Sequence, residues 1–202
     1  MKKTLFALVF LIHCCRISAQ ITTNNSCNKK FYKSYEDYKS GVAVEGVNVV
    51  RQEYTVIYYT QNGTEERVGP NKLPYYWFCN QEGTLMRVVG NKLYYVLVDG
   101  AVCFYIPADE TNVSKRSNKG DYSINSAFVA TYPAEFYSLT PNGEIERLRG
   151  KTVNQLLEKY GLTAQYEADE EYKKEWGKDS QLDILNKRSN KIIKYMRIMN
   201  TK

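Results

Sequence analysis

A succession of short β-forming segments, joined by two-residue glycine turns, constrains this chain more than any other feature. Gly90-Asn91 separates residues 85–89 from 93–98, and Asp99-Gly100 separates 93–98 from 101–106. Two residues allow a chain to reverse direction but not to cross over, so segments joined this way pair as antiparallel neighbours. Upstream, residues 54–59 are β-branched and aromatic and run into Asn62-Gly63, a hairpin signal; residues 75–79 are too bulky and apolar for a loop. The pattern predicts an antiparallel meander over about 47–106. A polar loop over 107–120, a strand over 124–131 and a hairpin through Pro141-Asn142-Gly143 extend it.

After Gly150 the apolar period changes from two to 3.6. Val153, Leu156, Leu157 and Tyr160 form one stripe, with Thr152 and Gln155 spaced as a capping box and Gly161 as the stop. A charged second helix is expected over 166–176. A third is expected over 180–199, with Leu182, Leu185, Ile192, Met196 and Met199 along one seam. A short helix near the start has Ser34 and Asp37 as its cap and Gly41 just past its end. Strands first and helices afterwards make the α+β class: an antiparallel β-meander followed by C-terminal helices. One domain over 20–202 is expected, mainly sheet over about 31–149 and mainly helical over about 150–200.

The N-terminus reads as a signal peptide. Lys2 and Lys3 precede a short apolar run over 5–12, and the segment closes on Ile17-Ser18-Ala19 before Gln20. Cleavage is expected between Ala19 and Gln20. The apolar run is far shorter than the roughly 20 residues that span a bilayer, so no transmembrane span is expected. Export at this point removes Lys2, Lys3 and Arg16, leaving 25 basic residues of the original 28 against 22 acidic. A net charge of about +3 gives no reason to expect nucleic acid as a partner.

His13, the only histidine, leaves with the same segment. Ser-His-Asp and Cys-His catalysis, and histidine-containing zinc sites, are then excluded for the processed chain. No catalytic residue, cofactor or metal ligand is assigned. Cys27, Cys79 and Cys103 remain, an odd number that permits at most one internal bridge. Cys79 and Cys103 fall three strand positions apart in a meander, about 14 Å at normal strand spacing. That is beyond the roughly 7 Å over which two Cα atoms can be bridged.

Eighteen tyrosines suggest a ligand platform. The candidate aromatic surface is Tyr58, Tyr75, Trp77, Tyr94 and Tyr105. The competing reading is that tyrosine suits a half-buried sheet, ring inside and hydroxyl wet. Asp99, Asp109, Glu110, Asp121, Glu135, Glu144 and Glu146 supply acids for a histidine-free glycosidase-like hydrolase, although no spacing singles out a pair. Glu167, Asp169, Glu170 and Glu171 lack the spacing of a calcium loop and read as a solvated helix face. Lys187, Arg188, Lys191, Lys194, Arg197 and Lys202 could lie on an anionic membrane, but they equally suit the solvent face and C-terminal end of a helix.

The phrase Tyr32-Lys33-Ser34-Tyr35-Glu36-Asp37-Tyr38 resembles the opening of uncharacterised exported (signal-peptide-bearing) proteins of Bacteroidetes-type bacteria. Their middle block of tryptophan, turn and tyrosine strand is matched by Trp77-Phe78-Cys79-Asn80 through Lys92-Leu93-Tyr94-Tyr95. Their closing helix is matched by Ile192-Ile193-Lys194-Tyr195-Met196 and Asn200. The group's G-[YF]-C-D-G phrase is replaced here by Cys79-Asn80-Gln81-Glu82-Gly83. The resemblance implies export and a shared fold and carries no catalytic residue. The expectation is therefore a periplasmic, cell-surface or secreted binding or structural module whose partner is an envelope glycan, peptide or protein.

Overall fold

The computed structural model describes Cys27, residues 29–108, 134–171 and 181–202, with side chains of the last segment from residue 186 onward. The predicted signal peptide with its Ala19/Gln20 junction and the predicted strand over 124–131 lie outside the described residues. So do most of the 107–120 loop and the second half of the 166–176 helix.

The α+β class holds. Among the described residues ten strands form two antiparallel sheets: β1 (Phe31–Tyr32), β2 (Val47–Glu53), β3 (Val56–Gln61), β4 (Thr64–Val68), β5 (Trp77–Cys79), β6 (Leu85–Val89), β7 (Lys92–Val98), β8 (Cys103–Pro107), β9 (Phe136–Ser138) and β10 (Glu146–Arg147). The larger sheet has the order β1-β5-β6-β7-β8-β9-β10, so β5 to β10 run as a meander; the smaller is β2-β3-β4. A bridge between Lys30 and Asn48 links the two. The predicted single run over 47–106 is thus divided. Pro70, in a 3-10 turn over Pro70–Lys72, offers no N–H to a ladder, and the chain leaves the small sheet there. Tyr54 and Thr55, expected inside a strand, instead form the two-residue turn between β2 and β3.

The described residues also form four helices: α1 (Tyr35–Ser40), α2 (Gly150–Lys159), α3 (Thr163–Ala168) and α4 (Gln181–Met199). At α1 the Ser34 hydroxyl accepts from Asp37 N while the Asp37 carboxylate accepts from Ser34 N, and Gly41 closes the helix at φ +73°. The Thr152–Gln155 capping box does not form, because α2 starts earlier, with Arg149 at the N-cap and no side-chain cap. The second helix sits nearer the chain start than expected, with α3 beginning at Thr163.

Strand alternation sends the large sheet's side chains to two faces, and both are covered. On one face, Phe78, Met86, Val88 and Leu93 meet Val47, Val49, Ile57 and Tyr59 of the small sheet. Farther along that face, Phe104 and Tyr137 pack under Leu156, Leu157, Ile192 and Met196 of α2 and α4. The opposite face carries Trp77, Cys79, Tyr94, Val96, Cys103 and Tyr105 beneath Cys27 and Tyr35. Burial at about 25 cal/mol per Å² of apolar area drives this two-sided closure.

Candidate functional site

The five residues of the predicted aromatic surface do not form one. Trp77, Tyr94 and Tyr105 are 1%, 5% and 0% exposed, held beneath α1 and the β9–β10 hairpin. Tyr75 is half-buried, with its ring 5.0 Å from Phe31. Tyr58 lies on the outer face of the small sheet, but the Arg51 guanidinium stands 3.8 Å above its ring centre and occupies that face. The expectation fails because exposure depends on what covers a face, and strand alternation cannot report that.

The structure instead gathers polar side chains into three nodes. Arg87 lies opposite both Trp77 and Tyr94 across the ladder and is 6% exposed. Its Nη1 donates to the Tyr105 hydroxyl at 2.8 Å and its Nη2 to the Gly143 carbonyl at 2.6 Å. Trp77 and Tyr105 present their rings to the cation at 5.4 and 5.5 Å. Ser138 Oγ donates to the Thr140 carbonyl, so Tyr105 donates to Ser138. Burial pushes the Tyr105 hydroxyl well above its ordinary pKa. The chain ends on the Thr140 carbonyl, so the node positions the β9–β10 turn.

The second node sits at the β7–β8 turn. The Tyr35 hydroxyl donates to Asp99 Oδ2 at 3.1 Å, and Lys39 Nζ lies 3.6 Å from the same oxygen. Burial, reinforced by Asp99, raises Tyr38 to about 12. Asn200 plugs the turn from the end of α4: its Oδ1 accepts from Val102 N, and its Nδ2 donates to the carbonyls of Asp99 and Val102. Cys103 Sγ, wholly buried, donates to the Gly100 carbonyl, and burial raises its pKa. A thiol in that environment is not a nucleophile.

The third node joins the two sheets. Gln52 N donates to Gln81 Oε1 at 2.9 Å, and Asn80 Nδ2 donates to Gln52 Oε1 at 3.3 Å. Gln52 Nε2 donates to the Tyr54 carbonyl at 2.6 Å. Asn80 Oδ1 also accepts from the backbone of Glu82 and Thr84, which shapes the β5–β6 turn.

The candidate acids are dispersed. Asp99 serves Tyr35 and Lys39, Glu135 accepts from Ser189 and pairs with Arg188, and Glu146 accepts from Tyr137. None of these shares a partner with another; Asp109, Glu110 and Asp121 lie outside the described residues. Among the described residues no three His, Cys, Asp or Glu side chains gather as metal ligands. A small apolar gap between α2 and α4, lined by Leu156, Leu157, Ile192 and Met196, lies in the core and carries no polar group. Several C-terminal lysines and arginines fasten the fold: Lys194 bridges Asp169 and Glu171, and Lys191 donates to the Asp169 carbonyl.

Cys27 and Cys79 form a disulfide with Cα atoms 5.6 Å apart, and among the described residues Cys103 is the free thiol. Cys103 is buried in β8, and no bridge joins it to Cys79, as the strand spacing predicts. The partner of Cys79 is Cys27 because its segment leads into β1, which pairs with β5.

These features define a two-sheet α+β protein stapled by one disulfide, with its described polar core groups satisfied internally. Compared with protein-family models, curated proteins and solved structures, the chain finds no match.

Proposed function

We propose that this is an exported envelope protein acting as a non-catalytic binding or structural module, in the periplasm, at the cell surface or in the medium. The buried Cys27–Cys79 bridge, close behind the expected cleavage after Ala19, carries the reading. Disulfides persist in oxidising compartments and are rare in a reducing cytosol. The resemblance to exported Bacteroidetes-type proteins points the same way. The non-catalytic part is supported by the buried polar groups: the Arg87, Asp99 and Gln52 nodes use their donors and acceptors on the fold itself.

Expression of the full chain, followed by fractionation, N-terminal sequencing and a non-reducing peptide map, tests it. The expected result is an extracytoplasmic protein beginning at Gln20, with Cys27 joined to Cys79. A cytosolic protein that keeps residues 1–19, with Cys27 and Cys79 both reduced, refutes it.

A further inference from the structure

Tyr54 stands where the β2–β3 turn needs a backbone conformation that a tyrosine disfavours. It occupies the first position of the β2–β3 turn at φ +54°, the left-handed region where glycine, asparagine or aspartate normally sits and a bulky ring is disfavoured. The backbone is held there by Gln52, itself 9% exposed and bound to both Asn80 and Gln81. The ring does not offset the strain through packing. It is 49% exposed and belongs to none of the three core clusters. Strained residues kept in place by a rigid polar scaffold concentrate at binding sites.

Neighbouring groups indicate what such a ring would meet. Gln81 shares Gln52 with Tyr54, and because its Oε1 accepts from Gln52 N, its amide nitrogen is left with no hydrogen bond among the described residues. The Thr55 hydroxyl is likewise uncommitted there. Glu53 and Glu82 flank the tip, and the nearby Arg51 is neutralised by Glu53 at 2.9 Å. Anionic ligands are therefore disfavoured. One ring and two small polar groups also fall far short of the roughly 800 Å² per partner of a stable protein interface. An aromatic face beside amide and hydroxyl groups suits a sugar, which has an apolar C–H face and a rim of hydroxyls.

We propose that the β2–β3 tip, together with the β5–β6 turn, binds a neutral glycan residue. The Tyr54 ring lies under the sugar's C–H face, and Gln81 and Thr55 meet its hydroxyls. This inference rests on the binding-module reading above.

The test uses the processed, oxidised protein on an array of neutral and acidic glycans, with calorimetric titration of cellotriose, maltotriose, xylotriose and chitotriose. Wild type is expected to retain neutral glycans only. Tyr54→Gly should weaken binding about tenfold or more while leaving the unfolding midpoint unchanged or raised, because glycine relieves the strained φ. Tyr54→Phe should bind within about twofold of wild type, since stacking needs the ring and not its hydroxyl. A wild type that retains no neutral glycan, or a Tyr54→Gly protein that binds as wild type does, overturns the site. Fractionation separates the two levels: an exported, glycan-blind protein defeats this site alone, and a cytosolic, reduced protein defeats the module reading.

Discussion

Replacing Cys27 and Cys79 together by alanine removes the cross-link without leaving a thiol to mispair with Cys103. The bridge closes a loop with a sequence separation of 52. In the chain-entropy account, a loop of that length restricts the unfolded ensemble by about 14 cal/mol/K, or about 4 kcal/mol at 25 °C. That is a large share of the roughly 5–15 kcal/mol by which domains are stable. The native contacts near the bridge should survive, because Phe31 and Tyr32 are held by pairing with Phe78 and Trp77 as well as by burial. Equilibrium urea unfolding of the wild-type and doubly substituted proteins measures the difference. At an m-value of about 2 kcal/mol/M, the midpoint should fall by about 2 M. A loss below about 1 kcal/mol would refute the reasoning, as would a peptide map joining Cys103 to either partner.

Three further substitutions and one titration follow from the polar nodes. Arg87→Met should cost about 2–4 kcal/mol in thermal or urea unfolding, since it leaves the Tyr105 hydroxyl and Gly143 carbonyl without their buried donor; a neutral effect would place the guanidinium in solvent. Asn200→Ala should cost about 1–3 kcal/mol through three lost bonds to the β7–β8 turn, with faster amide exchange at Val102 as its local signature. Gly100→Ala should destabilise by a similar mechanism, because its Cβ would lie 2.6 Å from the Asn200 side chain at a backbone φ of +143°; a wild-type melting curve would mean that Asn200 does not sit there. Burial, reinforced by Asp99 at Tyr38 and by Glu66 at Tyr59, raises both tyrosines to about 12 against an ordinary 10. Their stabilising contribution is complete below pH 10 and lost as pH rises from 10 towards 12. Ultraviolet titration should show part of the tyrosine ionising only above pH 10, and only with loss of structure; full reversible ionisation centred on 10 in the folded protein would contradict it.

Local chemistry made the turns and the order of strands legible. The Gly90 turn and the Ser34–Asp37 cap are decided by a few adjacent residues, and the structure places them where the sequence does, whereas the turn at Gly100 extends over residues 99–102 before β8 begins at Cys103. What was missed depends on distant residues. Nothing within residues 47–68 says that these strands leave the main sheet, apart from the proline at 70. The Thr152 box was misread because Gly150 and Lys151 continue the helix backwards to Arg149, where tertiary packing of Val153, Leu156 and Leu157 sets the start. The bridge was hidden because β1 has only two residues, too few to show a period, yet its pairing brings Cys27 to Cys79.

The tyrosines show why composition misled about the site. In a sheet covered on both faces by thin layers, a core ring lies close to the rim, so its hydroxyl can reach a polar partner without leaving the core. The fold does this repeatedly: Tyr35 reaches Asp99, Tyr59 reaches Glu66, Tyr137 reaches Glu146, Tyr195 reaches the Gln165 carbonyl, and Tyr105 joins Arg87 to Ser138. Tyrosine in place of phenylalanine thus ties each of these five rings to a rim or core polar group, a geometry that accounts for them without a ligand. The same reasoning leaves Tyr54 and Tyr76 as exposed rings outside the core clusters, and of the two only Tyr54 has a backbone in the left-handed region. Its ring is outside the core clusters, its hydroxyl makes no hydrogen bond among the described residues, and its backbone sits where a tyrosine is disfavoured. An aromatic residue that satisfies neither packing nor polar tethering, and is held by a buried glutamine, requires an explanation outside the fold, and a ligand at the β2–β3 tip supplies one.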